Sequence, residues 1–192
     1  MDLDTIQQLT QEYGEGWGYP HACRVLRLVE HVGQGMAYDT QAVAFAAYLH
    51  DWGAYPRYRR AGVEHALRSR QVVESEVLPF AGLGAGATQR VLEAIELHDY
   101  RDVRQPSSLE ALLLREADCI DFLGVVGIVR EFAWGPNDLN ACYRRVLSRI
   151  QGIRGRLTLP VAQAIAAERL VEMEGFLKRL VEEGFGETTF RE

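Results

Sequence analysis

The chain has 192 residues with a formal net charge of −6 at pH 7. Apolar residues make up 47% and charged residues 25%, which is typical of a folded domain and argues against disorder. The acidic balance provides no general basic field, so we expect no nucleic-acid polymer as a partner. A small anion bound by local arginines is compatible with it, and only Lys178 among the 21 basic residues is a lysine.

The length is that of one domain, so we predict a single domain over residues 1–192. Cys23, Cys119 and Cys142 are scattered, with no Cys-x-x-Cys, which argues against a disulfide scaffold and a thiolate zinc site. The N-terminal segment is acidic and polar, unlike a signal peptide. The apolar runs are too short to cross a bilayer. We therefore expect a cytoplasmic protein with no membrane partner.

Helical spacing of apolar residues recurs along the chain, and neither alternating strand patterns nor Asn-Gly or Asp-Gly hairpin turns occur. The sequence therefore predicts an all-α fold. In the first half we expect helices over 2–13, from Pro20 to about His31, from a cap at Asp39 or Thr40 to His50-Asp51, and over about 63–77.

Proline and glycine mark a break after residue 78, and helical patterns then resume. Thr88 is predicted to cap a helix over 89–98, and Ser107 or Ser108 to cap the helix that carries LEALLLREADCIDFLG. Pro160 suits the first turn of a last helix that continues to about Glu183.

Several titratable side chains fall on the apolar faces of these helices. His21 shares a face with Val25 and Val32, and His50 ends the apolar run AVAFAAYL. Asp118 lies on one face with Leu114. Inward charges without partners are costly, so these side chains need something to satisfy them.

Two histidines and two carboxylates from three separate inward faces would satisfy one another best around a divalent metal ion. Imidazole together with carboxylate suits Mn, Fe, Co, Ni or Zn, and Mg less well. Asp121, on the same face as Asp118, is expected to pair with an arginine or to support a ligand.

The ordered set His21, His50-Asp51 and Asp118 resembles the H…HD…D pattern of the HD-domain superfamily of metal-dependent phosphohydrolases. HACRVLRLVEHV resembles the helix of the first histidine, and LHDWG the HD segment. EHALRSRQVVESEVL, IELHDY and SLEALLLREADCIDFLGVVGIVREF resemble segments of a subgroup of small bacterial HD hydrolases, which often ends in a helix like AIAAERLVEMEGFLKRLVEE. The resemblance spans roughly residues 19–183 and implies an HD-type helical bundle.

The resemblance implies roles for six residues. The metal ligands would be His21, His50, Asp51 and Asp118, with Asp51 able to bridge two ions. In some branches histidines placed like His65 and His98 bind a second metal, and in others they meet the substrate phosphate. The spacing between His50 and His65 is short for the binuclear phosphodiesterase branch, which favours phosphate contact or proton transfer.

The implied reaction is hydrolysis of a phosphate ester of a nucleotide or another small phosphorylated metabolite. Metal-bound hydroxide would attack phosphorus, and a protonated histidine would donate to the leaving oxygen. Arg24, one turn after His21, and Arg57, in the loop after the HD pair, would clamp the phosphate.

Two alternatives stay open at the level of the sequence. One is a hydrolase or oxygenase that uses the same metal on a different substrate. The other is a metal-containing regulatory module that binds a nucleotide without turning it over. The enzyme is favoured because His65, His98 and the nearby arginines exceed what a structural metal needs. The residues do not distinguish a phosphatase from a phosphodiesterase, and they do not give the oligomeric state. A His-Asp dipeptide is a weak signal by itself, and it occurs a second time at His98-Asp99.

Overall fold

The computed structural model describes residues 1–184. Within this range every regular element is helical and there is no β-strand, so the all-α prediction is confirmed. No helix of the described chain is both long and apolar enough to span a bilayer. The helices are α1 (Leu3–Tyr13), α2 (Gly18–Val32), α3 (Thr40–Leu49), α4 (His65–Val72), α5 (Ala85–Leu97), α6 (Leu109–Asp121), α7 (Gly124–Trp134), α8 (Leu139–Ile153) and α9 (Pro160–Glu183).

The first of two compact units ends at Asp118, within α6. Its central element is α3, which packs against α1, α2 and α5. Seven of the residues of α3, including Phe45 and Leu49, are buried, as expected for a helix that is apolar on all sides. The apolar run therefore places its last residue, and the His50 that follows, in the interior of this unit.

Three predicted helix starts are confirmed. The Asp39 carboxylate accepts a hydrogen bond from the Ala42 amide at 3.0 Å and caps α3. Ser108 Oγ accepts one from the Ala111 amide at 3.2 Å at the start of α6. Pro160 occupies the first turn of α9.

The predicted cap at Thr88 is wrong. The N-cap of α5 is Gly84, in an extended conformation, and the helix begins at Ala85. The Thr88 amide donates to the Gly84 carbonyl at 2.9 Å, so Thr88 is already inside the helix. The glycine-rich segment predicted as a break instead starts the helix one turn earlier.

The second unit begins at Cys119, and in it α7 packs against α8 and α9. α8 was not predicted. The buried Glu131 carboxylate accepts a hydrogen bond from Arg145 Nε at 2.6 Å and forms an ion pair with Arg149 Nη1 at 2.6 Å. Asp121 pairs with Arg130 at 2.6 Å, which confirms the expectation of an arginine partner. The last residues of the predicted 1–192 domain, 185–192, lie outside the described residues.

Candidate metal centre

Six histidine and aspartate side chains meet at one place in the first unit. Four of the six lie at or directly after the end or start of a helix, and two lie within helices. The six are His21 on α2, His50 and Asp51 after α3, His65 at the start of α4, His98 after α5, and Asp118 on α6.

The four residues predicted as metal ligands lie together. His21 Nε2 is 3.1 Å from His50 Nε2, 3.4 Å from Asp51 Oδ2 and 3.2 Å from Asp118 Oδ1. His50 Nε2 is 3.6 Å from the same Asp51 oxygen and 3.9 Å from the same Asp118 oxygen. Both histidines and Asp118 are buried.

The other oxygen of Asp51 faces a second pair of histidines. Asp51 Oδ1 is 3.6 Å from His65 Nε2 and 3.7 Å from His98 Nε2, and these two nitrogens are 3.0 Å apart. His50, His21 and Asp51 form one group that could hold a metal ion, and Asp51, His65 and His98 form another. Asp51 belongs to both, which is the arrangement required of a bridging carboxylate.

The local electrostatics keep Asp51 ionised. Burial alone would raise the pKa of Asp51, but the charge of His50 and the close contacts with His21 and His98 hold this pKa well below its usual value. Burial lowers the pKa of His50 to about 4 in the metal-free chain and also lowers the pKa of His65. Neutral imidazoles and an ionised carboxylate are the forms that bind a metal.

His98 differs from its neighbours in this respect. Burial would lower the pKa of His98, but the contact of its Nε2 with Asp51 Oδ1, 3.7 Å away, and the charges of Asp118 and Asp51 raise this pKa above that of an ordinary histidine. In the metal-free chain His98 therefore favours carrying a proton more than His50 or His65 does.

The backbone orients two of the histidines. His50 Nδ1 lies 2.9 Å from the Ala47 carbonyl oxygen, and His98 Nδ1 lies 2.6 Å from the Ile95 carbonyl oxygen. Each contact reaches back three residues along the same helix and assigns the proton of the neutral ring to Nδ1. The lone pair of Nε2 is then directed at the cluster in both cases.

A short turn after Asp51 fixes the carboxylate, and the sequence did not reveal its contacts. Trp52 Nε1 donates to Thr10 Oγ1 of α1 at 3.0 Å, and the Gly53 amide donates to Ser69 Oγ of α4 at 2.8 Å. Both contacts are buried. A Thr or Ser at these positions carries no sequence signal beyond helix capping, so this support could be found only in the folded chain.

The residues fit a divalent ion. Asp118 Oδ1 is buried without a hydrogen-bond donor among the described residues, so a cation would satisfy it. Ligand atoms about 2.1 Å from an ion lie roughly 3 to 3.5 Å from one another, which is close to the spacing of the cluster. Imidazole nitrogens with carboxylate oxygens suit Mn, Fe, Co, Ni or Zn.

The two arginines predicted to bind phosphate are placed differently. Arg24 is half-buried on α2, one turn after His21. Arg57 is exposed, and its guanidinium lies over the ring of Tyr13 at 4.6 Å and near that of Tyr58 at 5.6 Å. Their part in substrate binding stays a prediction.

A helical unit whose helix ends bring histidines and aspartates to one buried point is an HD-type domain. Residues 18–123 match the HD domain family, and the chain belongs to that family. This stretch includes all six residues of the cluster.

The chain is similar to several proteins over most of its length. It is 24% identical over 188 residues to the uncharacterized protein YpgQ of Bacillus subtilis (strain 168), covering 91% of this chain and 88% of YpgQ. The crystal structure of YpgQ in complex with ADP matches with a TM-score of 0.68, covering 94% of this chain and 97% of the other.

Two further solved structures share the fold. A Lactobacillus plantarum protein has a TM-score of 0.74 at 17% identity, covering 95% of this chain and 96% of its own. A predicted HD superfamily hydrolase from an uncultured Thermotogales bacterium has a TM-score of 0.65 at 24% identity, covering 94% of this chain and 90% of its own. The HD-type fold is therefore shared along nearly the whole chain.

Proposed function

We propose that this protein is a metal-dependent phosphohydrolase that acts on a nucleotide or another small phosphorylated metabolite. His21, His50, Asp51 and Asp118 would hold a divalent ion. The observation that carries the proposal is the convergence of these side chains at a buried point where Asp118 Oδ1 has no hydrogen-bond donor among the described residues. Membership of the HD domain family supports the same chemistry.

A divalent ion in this site supplies Lewis acidity toward a phosphoryl oxygen and lowers the pKa of water. The protein residues hold and orient the reacting groups. Asp51, which its surroundings keep ionised, faces both histidine pairs with its two oxygens. His65 is 26% exposed, more than any other member of the cluster, so it is the histidine best placed to meet a substrate from solvent.

His65 and His98 have two roles open to them within this proposal. They contact the phosphate or transfer protons, as the short spacing after His50 favours, or they hold a second ion with Asp51. The second role is supported by the 3.6 and 3.7 Å distances from His65 and His98 to Asp51 Oδ1. A count of ions per chain distinguishes the two roles.

The nucleotide as substrate class is supported by the complex of the similar YpgQ with ADP. Arg24 and Arg57 remain the proposed phosphate contacts, Arg24 because it follows His21 by one helical turn. A guanidinium binds phosphate oxygens in pairs, which is the chemistry proposed for these two arginines.

The test is a panel of phosphatase and phosphodiesterase assays with Mn²⁺ on the wild type, Asp51→Asn and Asp102→Asn. Asp102 is a matched control because it belongs to the same unit and pairs with Arg104 instead of a histidine. We expect turnover of a nucleotide that Asp51→Asn loses and Asp102→Asn keeps. Tight ADP binding without turnover of any phosphate ester would contradict the enzyme and favour the regulatory module.

A further inference from the structure

The two His-Asp dipeptides of the chain have the same local structure but different surroundings. His50-Asp51 follows α3, and His98-Asp99 follows α5; in each, the histidine caps the helix and its Nδ1 faces a carbonyl of the preceding turn. Asp51 then faces the four histidines. The function proposed above uses His50, Asp51 and His98 from the two dipeptides and gives Asp99 no part.

His65 lacks the support that the two capping histidines have. It is the first residue of α4, so no preceding helical turn offers a carbonyl to its Nδ1. Its Nε2 is already directed at the cluster, 3.0 Å from His98 Nε2 and 3.6 Å from Asp51 Oδ1. A neutral imidazole in this orientation needs an acceptor for the proton on Nδ1.

Asp99 lies where that acceptor is needed. Its Oδ2 is 3.7 Å from His65 Nδ1, and within the described residues it is the one carboxylate near that nitrogen. The distance exceeds that of a hydrogen bond. Such contacts at active sites are often long before substrate binds and shorten in the complex.

Asp99 is itself held in place. The Arg101 amide donates to Asp99 Oδ1 at 2.8 Å, and Arg101 Nε donates to Oδ1 and Oδ2 at 3.0 and 3.1 Å. The Arg101 Nη2 group also donates to Oδ2. The Asp99 side chain is only 12% exposed, so its orientation is fixed by these bonds and by packing.

We propose that Asp99 is a positioning residue for His65. Its carboxylate accepts a hydrogen bond from Nδ1–H of His65, so that the Nε2 lone pair is directed at the cluster. Arg101 holds the carboxylate in place. The inference rests on the proposed function, in which His65 faces a substrate or an ion. A carboxylate behind an imidazole is a common way to fix its tautomer and raise its basicity.

The same loop contains a matched control. In DYRDVR, Asp102 and Arg104 repeat the arrangement of Asp99 and Arg101: the Arg104 amide donates to Asp102 Oδ1 at 2.9 Å, and Arg104 Nε donates to both oxygens at 3.1 Å. No histidine of the described chain lies within ion-pair distance of Asp102. Asp99→Asn and Asp102→Asn therefore remove the same charge from a carboxylate that is hydrogen-bonded in the same way by the arginine two residues later.

The first measurement is the tautomer of His65 by long-range ¹H–¹⁵N NMR of the ¹⁵N-histidine-labelled full chain with excess Mg²⁺, with the signal assigned by His65→Gln. We expect the Nδ1–H form in the wild type and in Asp102→Asn, and a loss of that form in Asp99→Asn. An unchanged His65 tautomer in Asp99→Asn, or an equal change in Asp102→Asn, would overturn the proposal.

The second measurement is kcat and KM with Mn²⁺ on the best phosphate ester of the panel. Asp99→Asn should lower kcat about 10- to 100-fold with a smaller change in KM, and Asp99→Glu should recover part of the loss.

If Asp99→Asn does not fold, it is replaced by the pair Arg101→Gln and Arg104→Gln, both at exposed arginines. Only Arg101→Gln should then change the tautomer of His65. If the wild type hydrolyses no phosphate ester, the proposed function fails, and the tautomer still decides the role of Asp99.

Discussion

Asp51 connects the two halves of the candidate site. One carboxylate oxygen faces His21 and His50, and the other faces His65 and His98. A single side chain can do this because it directly follows a helix cap and its two oxygens point to opposite sides. The residue is therefore the one whose loss would disturb both histidine pairs at once.

The burial of His50 predicts that the free energy of unfolding depends on pH. In the metal-free chain its pKa is about 4, whereas a histidine in the unfolded chain has a pKa near 6.5. The unfolded state thus binds more protons between these values, so the free energy of unfolding falls as the pH drops from about 6.5 to about 4, by up to about 3 kcal/mol.

Urea unfolding of the EDTA-treated wild type and His50→Gln across this pH range measures the effect. His50→Gln should flatten the dependence, because the titrating group is gone. His98 acts in the opposite direction, since its raised pKa gives stability that is present below pH 6.5 and lost as the pH rises through the folded value. Equal slopes in wild type and variant between pH 6.5 and 4 would contradict the burial of a neutral His50.

At the scale of elements, the site depends on how closely the turn after Asp51 approaches α4. Gly53 lies against the backbone of α4, where an added Cβ would overlap the His65 carbonyl and the Ser69 amide. The Gly53 amide also donates to Ser69 Oγ at 2.8 Å. This close approach sets the distance between Asp51 on one element and His65 on the next.

We expect Gly53→Ala to lower the free energy of unfolding by about 1–3 kcal/mol, because the backbone of α4 must shift. It should also weaken Mn²⁺ binding, since Asp51 is displaced from the other proposed ligands. Gly86→Ala is the control, as its Cβ would contact only the end of the flexible Arg90 side chain at 3.5 Å. Chemical denaturation and a Mn²⁺ titration check both effects, and a Gly53→Ala protein as stable as Gly86→Ala would contradict the account.

For the molecule as a whole, the sequence predicted what is local and periodic. The all-α fold, the cap at Asp39 and the inward direction of His21 and Asp118 follow from residue spacing, which is a property of single helices. The convergence of the two histidines and two aspartates was expected from their inward faces and from the family resemblance, and their role as ligands stays a proposal.

What was missed depends on contacts between residues far apart in the chain. The hydrogen bond from Trp52 to Thr10 and the approach of Asp99 to His65 join elements that no periodicity relates. The sequence pattern does not predict α8, although this helix is amphipathic. The glycines before Thr88 resemble a break, which wrongly predicts Thr88 as the cap. Tertiary packing selects among such alternatives, and local preference does not.

The metal content of the protein decides whether His21, His50, Asp51 and Asp118 hold a divalent ion. Elemental analysis would be made on the full-length wild type, Asp118→Asn and the control Asp102→Asn after incubation with Mn²⁺ and desalting. We expect at least one ion per chain in the wild type and in Asp102→Asn, and little metal in Asp118→Asn. A wild type that retains no more metal than Asp118→Asn would contradict this expectation.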